Sequence, residues 1–290
     1  PCVGRCWARL SQHQRCLLVF FVTLLYSYLE AFVKLFVPVR RKSLSGELVL
    51  ITGAGHGSGT AVHGCVSLCL LQHGVEETAA ECQKLGATVQ TLCVDCSKRE
   101  EIYSTVKKDI GDVTILVNNA GVITAADFLS TQDQQIERMF EVNILGQLGK
   151  GHHHLHCYSF LGSRFLPSHL YFFHFCSSSK FAAVGFHRAL TEELSTLGKD
   201  GIKTTCLCPV FINTGFVKNP RARLGKILEV EEVVEALMEG IVTNQKMVFV
   251  PPQLNMALLS EMVFPERALN TLKKLAIPTF DAVIGQRSTQ

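Results

Sequence analysis

The stretch LVLITGAGHGSG, residues 48–59, constrains this chain more than any other. Its apolar run, residues 48–51, breaks into glycine at Thr52-Gly53. A strand buried on both faces reads as a continuous β-rich apolar run. Glycines directly after such a run let the backbone turn tightly and approach a pyrophosphate at the N-terminus of the next helix. The expectation is a nucleotide-binding turn at the end of a parallel strand. Gly53, Gly57 and Gly59, with Ser58 between the last two, are spaced TGxxxGxG rather than GxGxxG. Glycine-rich turns also occur without a ligand, so the weight of this one depends on the residues downstream.

Those downstream residues are specific. Asn118-Asn119-Ala120-Gly121 closes the apolar run at 114–117, and Asn143 sits in FEVNILG. SSKFAAVGF covers residues 178–186 and contains Lys180, while CPVFINTGF covers 208–216 and contains Ile212 and Thr214. From Phe32 to about Gly285 the chain resembles the short-chain dehydrogenase/reductase family, and within it the 17-beta-hydroxysteroid dehydrogenases. The resemblance implies an α/β, doubly wound, Rossmann-like fold with a mostly parallel sheet, and NAD or NADP as cofactor. It implies a steroid, retinoid or other lipid alcohol as substrate and a homodimer as assembly. It also implies a place on the endoplasmic reticulum membrane and lipid droplet, with the catalytic domain facing the cytosol. The cofactor positions so implied are Gly53, Gly57, Ser58, Gly59, Asp95, Asn119, Ala120, Gly121, Lys180, Ile212 and Thr214. Asp95 would contact the adenine, and Asn143 would hold a water of the proton relay. Asp95 reads equally well as a turn or N-cap residue before the next helix, and the two roles are compatible.

At 290 residues and 47% hydrophobic content, the chain can bury one well-cored α/β domain and carry an appendage. Its net charge of +3 comes without a long Lys/Arg block, so no nucleic-acid partner is expected. Cys93, Cys96, Cys206 and Cys208 lie in or beside apolar strand-like runs, where a reduced thiol behaves as a small hydrophobe.

Residues 16–29 carry no charge, and Lys34, Arg40, Arg41 and Lys42 come after them. The run is short of the about 20 apolar residues of a clean membrane crossing, and no small-x-small cleavage site accompanies it. It reads as an uncleaved anchor, an interfacial helix or shallow hairpin whose basic residues snorkel towards headgroups. A buried core helix is the alternative that length leaves open. The chain starts at Pro1, and residues 1–15 do not resemble the family's start, as in a fragment or gene-model translation. The expected division is an anchor and linker at 1–45, a dehydrogenase-like domain at 46–250 and a tail at 251–290.

The middle of the chain is orderly. Helices are expected at 75–85, 98–110, 177–197, 230–242 and 267–275, and strands at 88–94, 114–117, 203–208 and 247–250. Ser130 with Asp133 resembles a capping box opening a helix that runs to about residue 145. Two stretches depart from this order. After Gly59 a helix of about 11 residues and a strand of about 5 are needed, yet GVEETAAECQKLGA already begins at Gly74. Residues 66–71 can supply a strand, but the position that would meet the ribose falls near Cys69, which is neither acidic nor basic, so NAD and NADP are not distinguished. From Gly146 the expected helix extension is missing, and GHHHLHCYSFLGSRFLPSHLYFFHFC has neither helix nor strand period, as in a translated non-coding or frame-shifted stretch. His152, His153, His154 and His156 lie within it, but no acidic or cysteine set at ligand spacing completes a metal site, and none is expected. The sheet is therefore expected to be defective at its second and fifth strand positions.

The chemistry turns on Lys180. In the family it resembles, a Tyr one helical turn before the Lys transfers the proton, the Lys ammonium favours the phenolate, and a Ser steadies the substrate oxygen. Four residues before Lys180 stands Cys176. A thiol beside Lys⁺ can ionise, yet it is roughly 3 to 4 Å shorter than a phenol. Tyr158 and Tyr171 lack the spacing, and Ser159 and Ser163 are the nearest candidates for the Ser. Two readings result: a dehydrogenase of lipid alcohols, and a catalytically silent protein bound to a membrane or droplet.

Overall fold

The computed structural model describes residues 11–34, 36–37, 39–54, 65–69, 75–84, 86–95, 97–98, 104–106, 108, 111–122, 130–147, 157–161, 174–210, 212–213, 217–218, 221, 226–255, 263–276 and 282–283. It forms two compact units, Pro1–Lys42 and Ser43–Gln290.

The first unit holds helix α1, Gln12–Lys34, of 23 residues. At 1.5 Å per residue it is about 34 Å long, because it runs past both ends of the uncharged stretch. The most apolar 18 residues of Gln12–Val33 have a mean hydropathy of 2.0, and none of that window is buried; Phe21 is 61% and Leu25 73% exposed. Its polar groups turn inwards on the helix: the Ser27 hydroxyl donates to the Thr23 carbonyl at 2.8 Å. By length and composition this helix can cross a membrane. The reading of a segment too short to cross is thereby corrected, and so is the alternative of a buried core helix.

The second unit is built on a seven-stranded parallel sheet. Its strands are β1 (Val49–Thr52), β2 (Cys65–Cys69), β3 (Thr91–Cys93), β4 (Ile115–Asn118), β5 (Cys157–Leu161), β6 (Lys203–Pro209) and β8 (Met247–Val250). They lie in the order β3-β2-β1-β4-β5-β6-β8. This is a doubly wound arrangement, with the strand order reversing beside β1, where such folds open a crevice at the carboxyl ends of the strands. Between strands run α2 (Val75–Lys84), α3 (Asp133–Asn143), α4 (His174–Thr196) and α5 (Val230–Val242).

Alternation along the central strands fixes which side chains meet which layer. Val49 and Ile51 of β1, with Val117 and Leu207, pack against Val233, Leu237 and Ile241 of α5. Leu50, between them in sequence, joins Leu116, Val94, Val106 and Val142 in a separate core. A one-residue slip of β1 would exchange these sets, so burial on both faces locks the register.

Both doubtful strand positions are filled. β2 pairs with β1 from Val49↔Cys65 to Thr52↔Leu68, and β5 lies between β4 and β6, with Ser159 opposite Val117 and Thr205. This corrects the expectation of a defective sheet at the second and fifth positions. A central parallel strand must satisfy its neighbours' N–H and C=O groups, which about five residues of any extended backbone can do, and a run that short carries no readable period. The stretches beside them, 55–64, 70–74, 148–156 and 162–173, lie outside the described residues.

Smaller differences are local. α3 starts at Asp133 behind Gln132, whose N–H donates to the Gln135 side chain at 3.2 Å, so the cap is not Ser130. α3 ends at Asn143, and a 3-10 turn, Leu145–Gln147, comes next. Of the helix expected at 98–110, residues 104–106 and 108 are described and helical. β7 (Val217–Lys218) pairs antiparallel with β9 (Ala282–Val283) of the tail, which comes after helix α6 (Glu266–Ala276).

Candidate active site

The carboxyl ends of β1 and β4 are bolted together through one hydroxyl. Thr52 Oγ1 accepts the N–H groups of Asn119 and Ala120, each at 3.1 Å, and donates to the Val117 carbonyl at 3.4 Å. Asn119 Nδ2 returns bonds to the carbonyls of Thr52 at 3.2 Å and Gly53 at 3.0 Å. Strand ends leave backbone groups without ladder partners, and these side chains satisfy them. Gly53 sits at φ +69°, and a Cβ there would stand 2.6 Å from the Ala120 Cα. Gly53, Asn119, Ala120 and Gly121 thus form one rigid double turn. Gly57, Ser58 and Gly59 lie outside the described residues.

Asp95 comes just after β3. Its carboxylate accepts the Ser97 N–H at 3.0 Å, the Ser97 hydroxyl at 2.9 Å and Arg138 Nη2 at 3.1 Å. Burial disfavours its charge, but Ser97 and the Arg138 guanidinium outweigh that and hold its pKa below the usual value. The geometry is that of a turn-closing carboxylate tied to α3.

Behind the double turn, Asn143 joins three elements. Its Oδ1 accepts the Val122 N–H at 2.8 Å, and its Nδ2 donates to the Val122 carbonyl and to Ser179 Oγ, each at 3.0 Å. The Ser179 hydroxyl donates in turn to the Cys176 carbonyl at 2.8 Å. Sequence reasoning misses Ser179: it lies in a run of serines, residues 177–179, and only its complete burial sets it apart. Lys180 extends from the same turn of α4. A Cβ on Gly121 would lie 3.4 Å from both Lys180 Nζ and Asn143 Oδ1, so the missing side chain keeps a gap open between amine and amide.

Cys176 and Lys180 share a helix face, as their spacing requires, and influence each other electrostatically. Burial pushes the Cys176 thiol up and outweighs the opposing pull of Lys180. A thiol beside Lys⁺ can ionise, but here burial favours its protonated form. Burial also pushes Lys180 down, against the Cys176 and Cys206 thiols. Cys206 and Cys208, alternate residues of β6, place their sulfurs 3.8 Å apart.

Ile212 forms a parallel bridge with Leu228 beyond β6. Ser159 and Tyr158 fall within β5, whereas Ser163, Tyr171, Thr214 and the histidines at 152–154 and 156 lie outside the described residues. Among the described residues no group of three His, Cys, Asp or Glu side chains can hold a metal ion.

The family model described as short chain dehydrogenase matches residues 47–149. The 17-beta-hydroxysteroid dehydrogenase 13 of Rattus norvegicus is 51% identical over 295 residues, covering 94% of this chain and 97% of that protein. The chain belongs to the short-chain dehydrogenase family. Estradiol 17-beta-dehydrogenase 11 of Homo sapiens is 49% identical over 291 residues, covering 93% and 97%. Both aligned spans exceed the 290 residues of this chain, so these short-chain dehydrogenases carry residues with no counterpart here. A short-chain dehydrogenase from Sphingobium yanoikuyae, solved in complex with NADPH, superposes with a TM-score of 0.59 at 21% identity, covering 77% of this chain and 97% of that one. It supports the Rossmann-like architecture.

Proposed function

We propose that this chain is a membrane-attached, NAD- or NADP-binding member of the short-chain dehydrogenase family for steroid, retinoid or other lipid alcohols, whose proton relay is interrupted at Cys176. The observation that carries this reading is the cluster at the turn of α4: Asn143, Ser179 and Lys180 are assembled around Gly121, with a protonated thiol in place of the expected phenol. The described residues fit a dinucleotide. The double turn offers a backbone that can be approached closely, and the gap beside Gly121 has a cation at its edge. A nicotinamide dinucleotide, when bound, supplies the hydride acceptor. Lys180 would hold it by donating Nζ protons to its hydroxyls. Asn143 gives its two amide protons to Val122 and Ser179, and only the second lone pair of Oδ1 remains for a relay water. The Cys176 thiol, pushed up by burial, does not supply the base that the phenol would provide.

Fluorescence titration with NADH and NADPH tests the binding half of this reading. The parent chain should bind one of them, and Gly121→Leu, which fills the gap, should weaken binding by at least about tenfold, or about 1.4 kcal/mol. Equal affinity in the two proteins, or no binding by a folded parent, overturns it.

The membrane half rests on the exposed apolar length of α1 and on Arg40, Arg41 and Lys42 beyond it. Expressed in cells, the chain should sediment with endoplasmic reticulum membranes or float with lipid droplets, and removal of residues 1–42 should release it. Recovery of the intact chain in the soluble fraction would rule the anchor out.

A further inference from the structure

Helix α6 is strongly two-sided, and among the described residues no strand or other helix packs along it. At about 3.6 residues per turn, Ala268, Leu269, Leu272 and Leu275 fall within an arc of about 120°, and Arg267, Lys273 and Lys274 lie outside it. Of that arc Ala268 is exposed and Leu269 only partly covered. The first turn is set by Pro265, whose carbonyl accepts the N–H groups of Ala268 at 3.0 Å and Leu269 at 3.1 Å. Directly before the proline stand Val263 and Phe264, 74% and 51% exposed, so Val263 is as open to solvent as Leu25 of α1. The Thr271 hydroxyl turns back onto the helix, donating to the Arg267 carbonyl at 3.0 Å, and asks for no outside partner. Three cations against the single Glu266 make the polar side of α6 positive.

We propose that Val263, Phe264 and α6 form a second membrane contact, lying flat on a bilayer that carries anionic headgroups. The apolar arc and the two exposed side chains before it enter the acyl boundary, while Arg267, Lys273 and Lys274 keep their charges among the headgroup phosphates and carboxylates. Charge favours this occupant over a second copy of the chain, because two α6 helices brought together would set like charges against each other. The inference rests on the membrane reading of α1. The linker from Lys34 to Val49 spans at most about 50 Å when extended, so an anchored chain holds α6 at high local concentration near the surface, and a weak contact suffices. β9 follows α6 and pairs with β7, in the segment that leaves the carboxyl end of β6. The contact is thereby joined to the end of the sheet where the crevice opens, the end that an apolar alcohol from the lipid phase must reach.

The full-length chain is reconstituted with vesicles of phosphatidylcholine alone or with phosphatidylserine added, and amide hydrogen exchange is read by peptide mass spectrometry. Retention by both vesicles and protection of α1 report the anchor, and peptides covering residues 263–276 report the second contact. Each cation near an anionic surface tightens binding about fivefold, so these peptides should exchange at least about fivefold more slowly with phosphatidylserine than without it, while α5 is unchanged. Salt at about 1 M, where the screening length falls to about 3 Å, should remove the difference in the parent chain itself. Lys273→Glu with Lys274→Glu should remove it too, as should Phe264→Asp, with α5 protected as in the parent. Equal exchange of 263–276 in the two vesicles by a retained chain overturns the proposal and leaves the anchor standing. A chain retained by neither overturns the anchor reading and the proposal with it. Protection that instead rises with chain concentration assigns the face to a second copy, and overturns the proposal as well.

Discussion

Gly53→Ala should unfold the sheet domain at temperatures where the parent chain is intact. A single methyl does this for two reasons that add. The residue sits at φ +69°, where an L side chain costs roughly 1 to 2 kcal/mol. The new Cβ would also stand 2.6 Å from the Cα of Ala120, a backbone atom bolted in place by Thr52 Oγ1 and unable to swing aside as a side-chain tip would. Overpacking of a rigid site typically costs about 1 to 3 kcal/mol more, so the expected loss is about 2 to 5 kcal/mol, a large part of a domain's whole stability. Gly86→Ala separates the two causes. That glycine has φ +88° with nothing within 4 Å of its missing Cβ, so it should lose only the conformational part. Thermal or urea unfolding of both variants, followed by circular dichroism, checks the ranking. Equal losses would show that Ala120 yields and that the double turn is not rigid.

Turnover is where the second large effect is expected. With a secondary lipid alcohol and NAD or NADP, the chain should produce reduced cofactor about 10² to 10⁴-fold more slowly than a restored version, because general acid/base catalysis contributes about that much. The restored version carries Cys176→Tyr and has the stretches between Gly59 and Gly74 and between Gly146 and Ser177 extended to the lengths found in its relatives. Cys176→Tyr alone should not recover the rate. Cys176 is 3% exposed, and a phenol forced into that space strains its surroundings before it reaches a substrate oxygen. A displacement of about 1 Å in a positioned group can cost about 10²-fold. Absorbance of the reduced nicotinamide is the readout. Full-rate turnover by the unmodified chain, abolished by Lys180→Ala, would reassign proton transfer to another residue, with Tyr171 the first to replace.

The parts of this molecule that are legible in its sequence are those in which local chemistry and the global fold demand the same residues. The glycine after β1 and the Asn-Asn-Ala-Gly after β4 read as one cofactor-side pair, and they are hydrogen-bonded to each other. α5 and β8 fall on their expected bounds because a clean amphipathic period and a proline pair frame them. Spacing alone places Lys180 and Cys176 on one helix face. β5 is not legible, and β2 is legible only as a strand that residues 66–71 can supply, without its partners. Central parallel strands are recognised by apolar content, and their pairing is dictated by neighbours distant in sequence. α1 is longer than its sequence suggests for a different reason: counting uncharged residues misses a helix that continues through Arg15 and Glu30. Ser179 leaves no signal, because burial of one serine among three depends on the packing of α3 against α4.

The position of β8 bears on how the protein is made. It closes one side of the sheet beside β6, and it is drawn from residues 247–250, so β6 has its outer neighbour only when most of the chain has left the ribosome. Every pairing in the sheet is parallel and joins segments far apart in sequence, which makes folding slow and late. α1 emerges long before. At about 5 to 20 residues per second, roughly ten seconds or more separate its appearance from that of β8. During that interval α1, which needs no long-range pairing, can already be helical while the sheet still waits for its last strand. The sheet is then assembled by a nascent polypeptide that has carried this helix outside the ribosome throughout.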